Sequence, residues 1–461
     1  MHGFFNPSRI AIIGARSTPG FGFHLPISLK KYGHGDDLSL VNNKGGELHG
    51  YPLYKSIKDV PRPVDMAIII TPAPAVPGIL LEIAEAGITN VILESAGFSE
   101  TGEEGKALQE KCRAIALEKG LKVMGPNCVG VVNSQNRFAT GEVIEEALTP
   151  GNIGLVAQSG IFGTIMLDQF PDRGLAISRA VTLGNRLIID ESDALDYFRE
   201  DESTDVVLMY IEGAADGAKL RKSLASITPV KPVIILKSGR TAEGVAATGS
   251  HTGSMAGSDD IYDGLFAQTG AIRVAGVAEM LDLATIFSQQ PLPKGDRVCI
   301  ITSSGSLGAV SIDRIVEEGL TPASLSEETV KGLREKAPAW MNVKNPLDVG
   351  PSEMFGKAFE AVIGYGGVDM VLFFPVIPYS VIRTFSAIGL NAESWLGPLG
   401  EMSSKYPSKP VVAGIVGHRE WTEQLREVCG ERVSMIDYPE NAAHAIAALA
   451  KYARYKKSVN K

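Results

Sequence analysis

Ile153-Gly154-Leu155-Val156-Ala157-Gln158-Ser159-Gly160-Ile161-Phe162-Gly163 and Val298-Cys299-Ile300-Ile301-Thr302-Ser303-Ser304-Gly305-Ser306-Leu307-Gly308 are the stretches on which the fold turns. Each is an unbroken apolar run, a small polar turn, a glycine, and a second glycine three residues on. Such a run reads as a strand buried on both faces of a parallel sheet, and the turn after it opens a helix. A weaker third copy stands near the start, where Ile10-Ala11-Ile12-Ile13-Gly14 leads into Ala15-Arg16-Ser17. Outward from these, apolar runs of the same kind occur at 66–70, 90–93, 206–211, 233–236, 370–374 and 411–415. Helical patterns lie between the runs, at 78–86, 103–119 and 442–455. Two stretches read as linkers: 147–152, with Thr149-Pro150-Gly151, and 289–297, with Pro291, Pro293, Lys294 and Gly295. They divide the chain into 1–147, 148–290 and 295–461. The expected fold class is α/β, built from strand, turn, helix units on parallel sheets.

The 461 residues are 44% hydrophobic and only 7% aromatic, which supplies several real cores and excludes a disordered chain. Net charge is -9, and basic residues never run longer than a pair, so nucleic acid is excluded as a partner. Cys112, Cys128, Cys299 and Cys429 are far apart and form no Cys-x-x-Cys pair. That suits a reducing compartment and predicts no metal site. The most apolar stretch, 64–83, is interrupted by Pro72, Pro74 and Pro77, and the first nine residues hold no apolar signal segment. A soluble, cytoplasmic protein without membrane attachment is the expectation.

Chemistry is sought at the helix starts, where free N–H groups and the positive end of the helix dipole favour anions. Gly14-Ala15-Arg16-Ser17-Thr18-Pro19-Gly20-Phe21-Gly22 is not a G-x-G-x-x-G fingerprint, but a nucleotide-like ligand still fits such a turn. Residues 239–260 are rich in Gly, Ser and Thr and read as a long loop, with a helix beginning near Asp260. His251 is the only imidazole between His49 and His418. A neutral imidazole is a nucleophile toward phosphoryl groups once an acceptor orients its other nitrogen, and Glu212, at the end of an apolar strand, is the candidate. The plainer alternative, a surface histidine and a glutamate used as a cap, stays open at this level.

The combination Ile12-Ile13-Gly14-Ala15, Glu94-Ser95-Ala96-Gly97-Phe98-Ser99-Glu100, Gly125-Pro126-Asn127-Cys128-Val129-Gly130, Gln158-Ser159-Gly160, Tyr210-Ile211-Glu212-Gly213, Lys237-Ser238-Gly239-Arg240 and Ser250-His251-Thr252-Gly253-Ser254-Met255-Ala256-Gly257 is more specific. It resembles, in order and over nearly the whole chain, the α subunit of the NDP-forming (ADP-forming) acyl-CoA synthetases, relatives of succinyl-CoA synthetase. The resemblance implies three doubly wound parallel-sheet domains, a Rossmann-like coenzyme A-binding domain followed by two flavodoxin-like ligase domains. It implies that Gly14, Ala15, Arg16, Ser17 and Gly22 approach the phosphates of coenzyme A and that Lys44 is a basic contact to its nucleotide end. Thr71, Pro72, Glu94, Asn127 and Cys128 would line the same edge, Cys128 near the thiol but not as a nucleophile. His251 would carry a phosphoryl group between an acyl phosphate and ADP, held by Glu212. Ser159, Gly160, Gly253, Ser304, Gly305 and Ser306 would bind its phosphate without a metal. ATP or ADP with Mg2+ would be held mainly by a separate ATP-grasp β subunit in an α2β2 heterotetramer, with small carboxylic acids such as acetate as the default substrates. A coenzyme A-binding sensor and a phosphate-independent acyl or carbamoyl transferase are the alternatives. Asn345-Pro346-Leu347-Asp348-Val349 is also family-like but suggests no chemistry.

Overall fold

The computed structural model describes every residue except Gly20, Phe21, Arg62, residues 253–257, Pro351, Glu353, residues 387–391 and Lys461. Its strands form three sheets. The first contains β1 (Ile10–Ile13), β2 (Leu38–Val41), β3 (Gly46–Leu48), β4 (Tyr51–Tyr54), β5 (Met66–Ile69), β6 (Asn90–Leu93) and β7 (Lys122–Met124), in the order β3-β4-β2-β1-β5-β6-β7. The second contains β8 (Gly130–Asn133), β9 (Phe138–Ala139), β10 (Ile153–Ala157), β11 (Ile177–Thr182), β12 (Val206–Ile211), β13 (Val233–Lys237) and β14 (Ile272–Val274), in the order β14-β13-β12-β10-β11-β8-β9. The third contains β15 (Arg297–Thr302), β16 (Thr321–Pro322), β17 (Leu347–Asp348), β18 (Met370–Phe374), β19 (Val411–Ile415) and β20 (Ser434–Asp437). Its order is β16-β15-β18-β19-β20, with the short β17 also on β15. Pairing is parallel throughout except at β3, β8 and β9. All three are doubly wound α/β sheets.

The apolar runs form the central strands for the reason the sequence suggests. β1, β5, β10, β13, β18 and β19 are buried at every position, because helices cover both faces. In each sheet the chain winds first to one side and then to the other, leaving a crevice at the carboxyl ends where the direction reverses. These reversals fall between β1 and β5, between β10 and β12, and between β15 and β18. They place Gly14 beside Thr71, Gln158 beside Glu212, and Ser303 beside Val376.

Residues 1–275 form one compact unit holding the first two sheets, and residues 276–461 form a second holding the third. The helix Val277–Gln289 is in the second unit, while β8 and β9 extend the second sheet. One continuous core runs through the first unit, from Phe4, Ile12 and Ile68 to Val156, Phe198 and Ile235. Phe4 and Phe5, on the short helix His2–Phe5, are fully buried, and Phe5 stacks on Tyr197 at 5.0 Å. Burying each such ring stabilises the fold by about 2 kcal/mol.

One expectation needs correction. Much of the stretch read as a loop is helical, as the helix Ala242–Thr252, followed by a second, Asp259–Thr269. Glu243 in the first turn and the Val245-Ala246-Ala247 core of the segment favour helix more than its glycines and threonines oppose it.

Candidate functional site

On the first sheet, Gly14 follows β1 with φ +98, and its N–H donates to Val41 O at 2.8 Å. A Cβ there would stand 2.7 Å from Thr71 Cγ2 and 3.1 Å from the carbonyl carbon of Ile70, so only glycine keeps the backbone open at this reversal. Gly22 has φ +74 and closes on Ile70 in the same way. Ala15 is buried, and its carbonyl accepts from Asn42 Nδ2 at 2.9 Å. Arg16, Ser17, Lys44 and Pro72 are exposed, and the Lys44 N–H is turned onto Asn42 Oδ1 at 3.1 Å. Asn127 adopts φ +59 and donates its N–H to Ser95 O at 3.0 Å.

Two buried polar atoms on this edge, Thr71 Oγ1 and Glu94 Oε1, have no protein partner among the described residues. Burial pushes the Glu94 carboxyl well above its usual range. Burial, and after it the neighbouring Glu94, also pushes up the Cys128 thiol, whose Sγ points at Leu93 O from 3.5 Å. Cys128 is thus a packed thiol and not a thiolate. Open glycine backbone, exposed Arg16 and Lys44, and orphaned polar atoms fit a long phosphorylated ligand such as coenzyme A lying along the edge.

On the second sheet, β10 passes through Gln158 and Ser159 into the helix Gly160–Asp172, and the Ser159 hydroxyl caps it by accepting from Phe162 N at 3.4 Å. The N–H groups of the first turn have no acceptor within the helix. Glu212 follows β12 and is buried, with Tyr210 Oη 3.5 Å from its Oε1. Tyr210 lies against Phe162 with ring centroids 4.1 Å apart, and burial raises its phenol. Lys237, at the end of β13, is buried with Nζ on Ser238 O and 4.7 Å from the Tyr262 ring centre; burial depresses its ammonium. The His251 side chain and Gly253 lie outside the described residues; only the helical backbone at His251 is placed.

Within the first unit the two edges meet. A Cβ on Gly160 would approach Val129 Cγ2 to 2.8 Å, so the helix start abuts the Cys128-Val129 segment. Asn185 N donates to Pro126 O at 2.9 Å, Leu187 N to Gly125 O at 2.7 Å, and Val129 N to Thr182 Oγ1 at 2.8 Å. Asn185 Nδ2 reaches Glu100 Oε2 at 2.6 Å, while Glu100 Oε1 accepts from Gly97 N at 2.6 Å. These loops, up to 85 residues apart in sequence, become one wall. No motif announces Asn185, and the Gln158-Ser159-Gly160 motif does not announce what the Gln158 carboxamide bonds, since these partners are set by the crossing of distant loops.

In the second unit, β15 leads through Ser303 and Ser304 into the helix Gly305–Glu317. Ser303 Oγ bonds Phe374 O at 3.2 Å across the reversal, and Ser304 Oγ lies 3.0 Å from Ser306 Oγ. A Cβ on Gly305 would come within 2.7 Å of Asp348 Oδ2. Asn345 holds the sheet together, since its Oδ1 accepts from Ile300 N at 2.9 Å and its Nδ2 donates to Val298 O at 2.8 Å and Ala323 O at 3.0 Å. It fills the gap in the ladder of β15 between β16 and β17. Among the described residues no group of three His, Cys, Asp or Glu side chains is placed to hold a metal, and no helix is long and apolar enough to cross a membrane.

Comparison with known proteins agrees with this layout. Residues 8–134 match the CoA binding domain family and residues 150–287 the succinyl-CoA ligase-like flavodoxin domain family. The chain is 33% identical to the acetate–CoA ligase (ADP-forming) I subunit alpha of Pyrococcus furiosus, over 99% of this chain and 98% of that one. It is 38% identical, over 80% of its length, to acetate–CoA ligase (ADP-forming) II of Archaeoglobus fulgidus, of which the match spans 56%. The fold superposes on the dinucleotide-forming acetyl-coenzyme A synthetase 1 of Ca. Korarchaeum cryptofilum, solved with phosphate and ADP, with TM-score 0.88 at 29% identity, covering 100% of this chain and 98% of that one. The chain belongs to the ADP-forming acyl-CoA ligases, a family of acid–thiol ligases, as an α subunit.

Proposed function

We propose that this chain, with a separate ATP-grasp β subunit, joins a small carboxylic acid to coenzyme A at the expense of ATP, reversibly and by way of phosphohistidine at His251. In the thioester-consuming direction, inorganic phosphate displaces the coenzyme A thiolate to give an acyl phosphate. The His251 imidazole then attacks phosphorus and expels the carboxylate, and ADP takes the phosphoryl group to give ATP and free histidine. Glu212 would hold the other ring nitrogen and stabilise the charged ring. The observation that carries this reading is the abutment of the Gly160 helix start on Cys128-Val129, which joins an anion-binding helix end to the edge suited to coenzyme A. Arg16 and Lys44 supply exposed cations for the coenzyme's phosphates, with Thr71 and Glu94 deeper along the edge. The Ser304-Gly305-Ser306 start offers the same kind of donors in the second unit. A β subunit is supported by the subunit name of the P. furiosus relative, which this chain matches over 98% of its length, beside the longer A. fulgidus protein. Mg2+ would arrive with the nucleotide on that subunit, in an α2β2 assembly in the cytoplasm.

The test is labelling of the chain with radioactive phosphate in the presence of a panel of acyl-CoA thioesters, repeated with the ATP-grasp subunit added. Acid-labile, alkali-stable label on the wild type and none on His251→Asn, with coenzyme A binding retained, is the expected result, and the best thioester names the acyl group. Glu212→Gln should lower labelling several-fold. Label on His251→Asn, or no label even with the partner present, would overturn the reading.

A further inference from the structure

The carboxamide of Gln158 has no part in the reaction as set out so far, yet it stands at the reversal of the second sheet, one residue before the cap of the helix Gly160–Asp172. Its backbone is fixed on both sides: Gln158 N donates to Tyr210 O at 2.9 Å, and Gln158 O accepts from Gly184 N at 3.0 Å. Its side-chain oxygen accepts from Glu212 N at 2.8 Å and Gly213 N at 3.4 Å. Both of those partners can only donate, so the oxygen must face them and the NH2 group must face away. Nε2 is buried, on a residue 2% exposed, and has no protein partner among the described residues.

A buried amide donor pair held rigidly by its own carbonyl is costly unless something accepts from it. The helix that opens two residues later, at Gly160, adds first-turn N–H groups without an acceptor inside the helix, of which the Ser159 hydroxyl takes only that of Phe162. We propose that Gln158 is an anion-binding residue whose Nε2 hydrogens, together with that turn, hold the oxygens of a tetrahedral phosphate. This rests on the phosphoryl-transfer reading above. The shared chemistry covers inorganic phosphate and the phosphoryl group in transit.

Equilibrium binding of radioactive inorganic phosphate to the full chain, in the absence of acyl-CoA, tests the assignment. Gln158→Glu keeps an oxygen for the N–H groups of Glu212 and Gly213 and replaces the donor with a repelling acceptor. It should weaken phosphate binding by about tenfold or more, the size expected for a lost bond to a charged group, with coenzyme A affinity unchanged and a melting temperature lowered by the buried carboxylate. If that variant is unstable, Gln158→Met, neutral and without donors, is held to the same tenfold criterion. Wild-type phosphate affinity in a folded variant would overturn the assignment alone and leave Gln158 as a clasp between strands. A wild-type chain that takes up no phosphate, alone or with the ATP-grasp subunit added, would overturn both this inference and the reading on which it rests. His251→Asn separates the arms: its retained phosphate binding reports the free ion, and labelling of the wild type reports the phosphoryl group.

Discussion

Replacing Asn345 by alanine removes one side chain and strands two backbone groups. Ile300 N and Ala323 O lose bonds of 2.9 and 3.0 Å, and the short β16 and β17 leave no strand to replace them, while Val298 O loses a bond of 2.8 Å but keeps the one from Ala323 N, also 2.8 Å. At about 1 to 3 kcal/mol for each polar group left unsatisfied, partly offset by water at this part-buried position, the loss should be about 2 to 4 kcal/mol. All three tryptophans, Trp340, Trp395 and Trp421, lie in residues 276–461, so tryptophan fluorescence in a urea titration reports that unit. With a urea slope of about 2.5 kcal/mol per molar, the midpoint should fall by about 1 to 2 M. Asn345→Asp should be as damaging, since a second oxygen would face the two carbonyls. Coenzyme A binding, assigned to the first unit, should be untouched. A midpoint shift below about 0.3 M would refute the reasoning.

His444 lies between Glu279 at 2.9 Å and Glu318 at 2.6 Å, with Arg314 3.1 Å from its Nδ1 and Lys451 on Glu318; the bond with Glu279, then that with Glu318, raises its pKa against burial. A raised folded value means stability present below about pH 6.5 and lost as pH rises through the folded pKa. The tryptophan-reported melting temperature should therefore fall over that window in the wild type, and an equal slope in His444→Gln would disprove the link. Glu94 titrates above its unfolded value because it is buried, so the wild type should lose stability as pH climbs above about 4.5. Glu94→Gln should melt higher than wild type at pH 8 but not at pH 4.5, and scanning calorimetry at the two values checks this. Gly14→Ala, forced to φ +98 with a Cβ 2.7 Å from Thr71, should carry about 1 to 2 kcal/mol of strain and bind coenzyme A about tenfold more weakly by calorimetric titration. Wild-type affinity would show that the coenzyme does not use this turn.

The central strands were legible because they are buried on both faces and so appear as unbroken apolar runs. β11 was not, since Ser178 and Arg179 interrupt it: Ser178 is buried on Ile153 O, and Arg179 pairs with Asp201 beside the strand. β16 and β17, two residues each, are too short to leave a pattern. The switch-point residues Gly14, Thr71, Ser159 and Glu212 could be picked out because each lies just past the end of a strand. The bond from Asn185 to Glu100 and the Gly160–Val129 approach could not, because they join loops whose meeting depends on how two sheets pack. Asn345 could be given no role from the sequence for a related reason: a side chain that completes a sheet and one that binds a ligand leave the same mark in a single sequence.

The short helix His2–Phe5 has a consequence for synthesis. Phe5 rests on Tyr197 and Phe198, and Asn133 Nδ2 donates to Phe5 O at 3.0 Å, so a segment made early belongs under the second sheet. A ribosome adding about 5 to 20 residues per second needs roughly 10 to 40 s to travel from Phe5 to Phe198. For that interval the Phe5 ring waits without its aromatic partners, although the helix already has Asn90 of the first sheet against Gly3. Until then the growing polypeptide carries an apolar ring whose full burial needs the second sheet.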